Sequence, residues 1–130
     1  MSLRNMYEVK KPGLFHASRR KCGENFVVLL QDREAGVLVS GDPSDAPDVL
    51  TVVGWGKVYV LSPCTVKAYG NGHNGGLVVF AEGPGVRVEA NDGTVVYAKD
   101  GAEVLVKSPR ARAFGINARL SVLGEEVHEE

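Results

Sequence analysis

Small apolar residues alternate with polar or larger residues along positions 57–122. The pattern is clearest at positions 86–109, which divide into VRVEANDG, TVVYAKDG and AEVLVKSP. Alternation with a period of two over about five positions is typical of a β-strand that buries one face. Most of these segments end in a turn signal such as Asp-Gly, in which glycine readily adopts positive φ. The chain is therefore predicted to be all-β, with a new strand every eight to eleven residues.

Two architectures fit this pattern. In an antiparallel meander each strand pairs with the next, and the sheet curls into a barrel or sandwich. In a β-solenoid each segment turns a corner, so that each strand pairs with the second strand along the chain. The inward positions hold Val, Ala, Leu and Thr but no aromatic residue, which suits two sheets in close contact. We expect a short β-solenoid, with the meander as the alternative.

Residues 65–72, TVKAYGNG, resemble the octapeptide V-x-A-x-G-N-x-x repeats of small proteins often encoded by phages and mobile elements. One octad matches closely, and the similarity in pattern extends over residues 57–122. The resemblance implies a repetitive β-rod and brings no established activity or site. Because the N-terminus has no apolar signal-peptide core and the two cysteines lack the density of a disulfide scaffold, the protein is expected in the cytoplasm. The resemblance adds a phage particle as the alternative.

The first part of the chain departs from the octad. Residues 25–35, NFVVLLQDREA, are compatible with either a short helix or a strand, because a continuous apolar run does not reveal its periodicity. The whole chain of 130 residues is expected to form one domain. Within it, residues 7–53 are predicted to be a cap or wrap, residues 57–122 the repeat region and residues 123–130 an acidic tail.

If consecutive segments alternate between two sheets, their outward residues divide into two faces. One face is polar, whereas the other is mostly apolar. Phe80, Tyr97 and Phe114 recur every 17 residues on the apolar face, and a solenoid would stack them about 4.8 Å apart. We expect either that residues 7–53 cover this face or that it self-associates. The predicted interaction face comprises Tyr59, Phe80, Tyr97, Phe114, Val78 and Val95.

Charge is uneven along a chain whose formal net charge is only −1. A basic segment at residues 10–21 could contact nucleic acid through phosphates, although it has no interleaved aromatic residues. The segment holds only five charged residues, and a solvated surface is sufficient to explain them. Nucleic-acid binding is therefore not expected. No apolar run is long enough to span a membrane. The basic residues are Lys10, Lys11, Arg19, Arg20 and Lys21.

No catalytic motif stands out. Gly70, Gly72 and Gly75 match G-x-G-x-x-G, but the apolar strand pattern that follows is not the helix that phosphate binding requires. His73 lies in the same loop, and neither it nor Cys22 and Cys64 has metal-ligand spacing. Neither a metal nor any other cofactor is expected. We expect a non-enzymatic structural or interaction module acting in an assembly. The alternative is a sugar-binding or carbohydrate-active domain that uses the Gly70–Gly76 loop, and no small-molecule ligand is indicated.

Overall fold

A computed structural model describes residues 6–22, 25–70, 76–122 and 125–127. The predicted loop residue His73 therefore lies outside the described residues. One sheet, sheet A, contains β1 (Met6–Val9), β3 (Asn25–Leu30), β5 (Val49–Gly54), β7 (Cys64–Gly70), β9 (Val86–Ala90), β11 (Glu103–Val106), β13 (Arg119–Val122) and β14 (Glu125–Val127). The other, sheet B, contains β2 (Gly13–His16), β4 (Ala35–Val39), β6 (Gly56–Val60), β8 (Leu77–Glu82), β10 (Thr94–Lys99) and β12 (Arg112–Ile116).

Up to β13, consecutive strands alternate between the two sheets, and each strand pairs in parallel with the second strand along the chain. Strand β9 pairs with β11, with Val88 opposite Val104. Strand β8 pairs with β10, with Val79 opposite Val96. The chain therefore folds as a β-solenoid, which confirms the predicted fold and rules out the antiparallel meander. A single helical turn, α1 (Arg19–Cys22), and a 3₁₀ turn at Pro43–Asp45 lie in the connections.

The core is a narrow layer of small side chains between the sheets. In most strands buried residues alternate with partly exposed ones, as in β8 and β5. Val58, Val66 and Val79 have no solvent exposure. Because both sheets contribute inward residues at every level, little volume remains for aromatic rings in the middle of the solenoid.

The expectation that residues 7–53 wrap over one face is wrong. Strands β1 and β3 extend sheet A, and β2 and β4 extend sheet B, all in parallel register. The ambiguous residues 25–35 are a strand, a turn and the start of the next strand. Longer connections obscure the repeat here, but the inward positions continue those of the octads.

The run Phe26–Leu30 is not uniformly buried, contrary to what its composition suggests. Phe26, Val28 and Leu30 are buried, whereas the residues between them are half-buried on the outer face of sheet A. An extended backbone places successive side chains on opposite sides, so even five consecutive apolar residues divide between two faces.

Aromatic rings stack at the N-terminal end of the described strands. Tyr7 and Phe15 lie opposite the inward residues Val28 and Val37 of the next strands. The rings of Tyr7 and Phe15 stack with centroids 4.6 Å apart, and Phe15 stacks on Phe26 at 6.3 Å. No further strand lies beyond this layer among the described residues, which leaves space for large inward side chains there.

Two features of the described chain depart from simple repetition, one at a corner and one at the C-terminal edge of sheet A. At the corner between β5 and β6, Gly54 has φ of +125°, and a Cβ atom there would overlap the Leu30 carbonyl oxygen.

At the C-terminal end of the described chain, part of the predicted acidic tail forms β14, which pairs antiparallel with β13. This reversed strand covers the C-terminal edge of sheet A, an edge that could otherwise pair with another chain.

Candidate association surface on sheet B

Four aromatic rings form a continuous ladder on the outer face of sheet B. Tyr59, Phe80, Tyr97 and Phe114 are in register on β6, β8, β10 and β12. Successive ring centroids are 5.2, 5.6 and 5.4 Å apart, and successive ring planes differ by 11°, 16° and 19°. The 17-residue spacing of Phe80, Tyr97 and Phe114 predicts their part of the ladder, because one circuit of the repeat returns the chain to the same position one strand further along.

Each inner ring of the ladder presents its edge to solvent. Because Phe80 and Tyr97 are stacked on neighbours along the sheet, both faces of each ring are occupied. Tyr97 and Phe114 nevertheless keep 46% of their surface exposed. The ladder is therefore an apolar ridge of ring edges and not a row of open aromatic faces.

Two further columns of side chains run parallel to the ladder. On one side Val78 and Val95 are half-buried and lie between the exposed residues Lys57 and Arg112. On the other side Leu61, Glu82, Lys99 and Ile116 occupy the position two residues after each ring. Together with the ladder, this second column lines a groove of about 540 Å³.

The second column is a mixture of apolar and charged residues. Leu61 is 48% exposed and Ile116 is 69% exposed, at the two ends of the column. Between them the Lys99 Nζ lies 3.9 Å from the Glu82 Oε1. The predicted face omitted Glu82, Lys99 and Ile116, although the outward parity that identifies the rings also identifies these positions.

No described segment of the chain covers the ladder. Residues 7–53, which were one candidate to cover it, continue the solenoid instead. The exposed fractions of Tyr97, Phe114 and Ile116 show that this part of sheet B faces solvent.

The outer face of sheet A has a different character over β9, β11 and β13. Arg87 lies 3.4 Å from Glu103, and Lys107 lies 3.4 Å from Glu89. These are exposed ion pairs between neighbouring strands, and such pairs contribute little to stability. They are typical of a solvated surface, as predicted for this face.

The described residues of the basic segment are divided between two connections of the solenoid. Lys10 and Lys11 lie between β1 and β2, whereas Arg19 and Arg20 lie in α1. Lys10 lies 3.3 Å from Glu8, and the Arg19 guanidinium lies 2.5 Å from Asp48. The side chain of Lys21 lies outside the described residues. Two of the four described cations are therefore already paired with carboxylates.

The described residues contain no group of three or more His, Cys, Asp or Glu side chains placed to hold a metal ion. Gly70 ends β7 and Gly76 precedes β8, but the intervening residues 71–75 lie outside the described part, as does His128. Cys64 is buried, and this burial, with a smaller contribution from the Asp48 carboxylate, raises the pKa of its thiol to about 12. Such a thiol is protonated at neutral pH and unsuited to act as a nucleophile.

Comparison with protein-family models, curated proteins and solved structures finds no match to this chain. The resemblance of residues 65–72 to phage octapeptide repeats thus stays a prediction. Across the described residues, no helix has the length and apolar character required to cross a membrane.

Proposed function

We propose that this protein is a non-enzymatic β-solenoid module that acts in an assembly by associating through the aromatic face of sheet B. The observation that carries the proposal is the exposed ladder from Tyr59 to Phe114, flanked by valines on one side and by Leu61 and Ile116 on the other. A contiguous apolar patch on a soluble chain commonly marks a protein contact surface.

The ring stacking favours protein association over sugar binding. A sugar ring packs its C–H groups against the open face of an aromatic ring, but the faces of Phe80 and Tyr97 are covered by neighbouring rings. Exposed ring edges and aliphatic side chains, in contrast, suit packing against another apolar protein surface. The phage or mobile-element setting suggested by the octad fits an assembly role and is part of the proposal.

Sedimentation velocity over a wide concentration range tests the proposal. We expect the wild-type chain to associate reversibly and the variant Phe114→Gln/Ile116→Gln to remain monomeric. Both replaced side chains are largely exposed, so the fold should persist, which circular dichroism can verify. Tyr69→Gln, at an aromatic residue of similar exposure on sheet A, is the matched control and should associate like wild type. A wild-type chain that stays monomeric at about 1 mM would refute self-association.

A further inference from the structure

We infer that the partner is a second copy of this chain, packed face to face about a two-fold axis that runs parallel to the strands of sheet B between β8 and β10. This inference rests on the proposed function and specifies its partner and register. In a two-fold interface the same patch serves both copies, so the patch must be complementary to itself. The arrangement of charges on sheet B meets that condition in one register.

The proposed axis keeps each column of side chains opposite the same column and reverses the order of the strands. Strand β8 of one copy then faces β10 of the other, and β6 faces β12. Glu82 therefore faces Lys99 of the second copy, and the symmetry repeats this pair. Together with the contact between Glu82 and Lys99 within each chain, the four side chains form a ring of alternating charge.

The same two-fold axis also pairs the apolar residues with one another. The aromatic ladder has four rings, and its midpoint lies between Phe80 on β8 and Tyr97 on β10. Reversal about this midpoint places Phe80 opposite Tyr97 and Tyr59 opposite Phe114. In the flanking columns it places Val78 opposite Val95 and Leu61 opposite Ile116. Both the charged pair and the apolar pairs thus select the axis between β8 and β10.

Two other two-fold arrangements would bury a charge against an apolar side chain. Moving the axis by one strand, to lie between β6 and β8, would place Glu82 opposite Leu61. An axis in the plane of the interface but perpendicular to the strands would place Glu82 opposite Val78 and Lys99 opposite Val95. An ionised group that loses water without gaining a partner is strongly unfavourable, so these arrangements are selected against.

One pairing in the proposed register is unfavourable. Lys57 faces Arg112 of the second copy, at the two ends of the valine column. Both residues are exposed, and their long side chains can keep the charged groups in water while the aliphatic parts pack. The repulsion should therefore weaken the dimer without preventing it.

The size of the face limits the affinity. Four strands of about five residues cover about 300 Å² on each copy, which is smaller than most specific protein interfaces. We therefore expect a reversible dimer, populated at micromolar to millimolar concentrations.

Site-specific cross-linking tests the register. In a Cys22→Ser background, one preparation carries Leu61→Cys and another carries Ile116→Cys, both at exposed positions. Residues 61 and 116 of different copies should face each other across about 10 Å, whereas two copies of residue 61 should be about 17 Å apart, because three strand spacings separate β6 from β12. A short bismaleimide, chosen to match the separation of about 10 Å between packed sheets, should thus link the mixture but neither preparation alone, and the Cys22→Ser parent should show no link.

Charge reversal gives an independent test by sedimentation. Glu82→Lys and Lys99→Glu should each dimerise at least about tenfold more weakly than wild type. An equimolar mixture should recover dimerisation, because the two lysines of one variant then face the two glutamates of the other across the axis. Neither variant has an opposite charge at the two positions within its own chain, so recovery requires contact between chains.

The outcomes separate the two proposals. Association of the wild-type chain without a link between residues 61 and 116, or with a link in either preparation alone, would overturn the register and leave association through sheet B standing. A wild-type chain that remains monomeric would overturn both. Linked mixtures together with recovery by mixing the charge variants would support the register.

Discussion

Phe80 and Tyr97 occupy the same register position on adjacent parallel strands, with ring centroids 5.6 Å apart and ring planes 16° from parallel. The pair is the centre of the aromatic ladder on the exposed face of sheet B. This ladder stabilises the fold by ring stacking and is also the proposed contact surface. Stability and association through this surface can be separated, because the inner and outer rings have different numbers of stacking partners.

Replacement of an inner ring should cost more stability than replacement of the terminal ring. Phe80 stacks on two neighbours, whereas Phe114 stacks on Tyr97 alone within the described ladder. We expect Phe80→Ala to lower the free energy of unfolding by about 2–3 kcal/mol and Phe114→Ala by about 1 kcal/mol. Urea denaturation at low protein concentration measures both values. Equal losses would contradict the contribution of stacking to stability.

The corner at Gly54 should not tolerate a side chain. Gly54 combines positive φ with a backbone approach that leaves no room for Cβ, so Gly54→Ala should lose at least about 3 kcal/mol. Gly83 also has positive φ but no atom within 4 Å of the Cβ position. Gly83→Ala is thus the matched control and should lose only about 1–2 kcal/mol, the cost of backbone strain alone. Thermal or urea unfolding of the two variants checks the difference.

Cys64 should make stability fall at alkaline pH. Its thiol pKa is about 12 in the folded chain, against a reference value of 9.0. Between these values the unfolded chain releases the proton and the folded chain keeps it, so rising pH favours unfolding by up to about 1.4 kcal/mol per pH unit. We expect the free energy of unfolding of Cys64→Ala to depend less steeply on pH above 9. Identical slopes for the variant and the wild-type chain would show that this thiol is not responsible.

Phe26→Asp should prevent soluble folding. Phe26 is buried in the layer that Phe15 covers, and a carboxylate there would lose its hydration without a partner. Asn25→Asp, at the exposed neighbouring position, is the control and should remain soluble. Expression and thermal melting of both variants are the measurements, and a soluble, cooperatively melting Phe26→Asp chain would contradict the prediction.

The alternation of small apolar residues with polar or larger ones determined where the strands lie and which side chains point inward. Strand positions in 57–122 and the identity of the inward residues follow from a side-chain period of two, which acts within each short segment. The 17-residue recurrence of Phe80, Tyr97 and Phe114 predicted that these three rings lie on one face of the same sheet, because one circuit of two strands returns the chain to that sheet. The alternation depends on neighbours in sequence and the recurrence on a regular spacing, so the sequence pattern reveals both.

Only the tertiary structure decided which strands pair and where the repeat begins. Asp-Gly turns suit a hairpin as well as a solenoid corner, and pairing with the next strand or the one after it is a non-local choice. The structure shows that the first described strands belong to the same two sheets and that Tyr7 and Phe15 stack on each other there. It also shows that no described segment covers the ladder, because residues 7–53 extend the two sheets instead. Backbone hydrogen bonding between distant segments sets the pairing of strands, and local composition does not encode it.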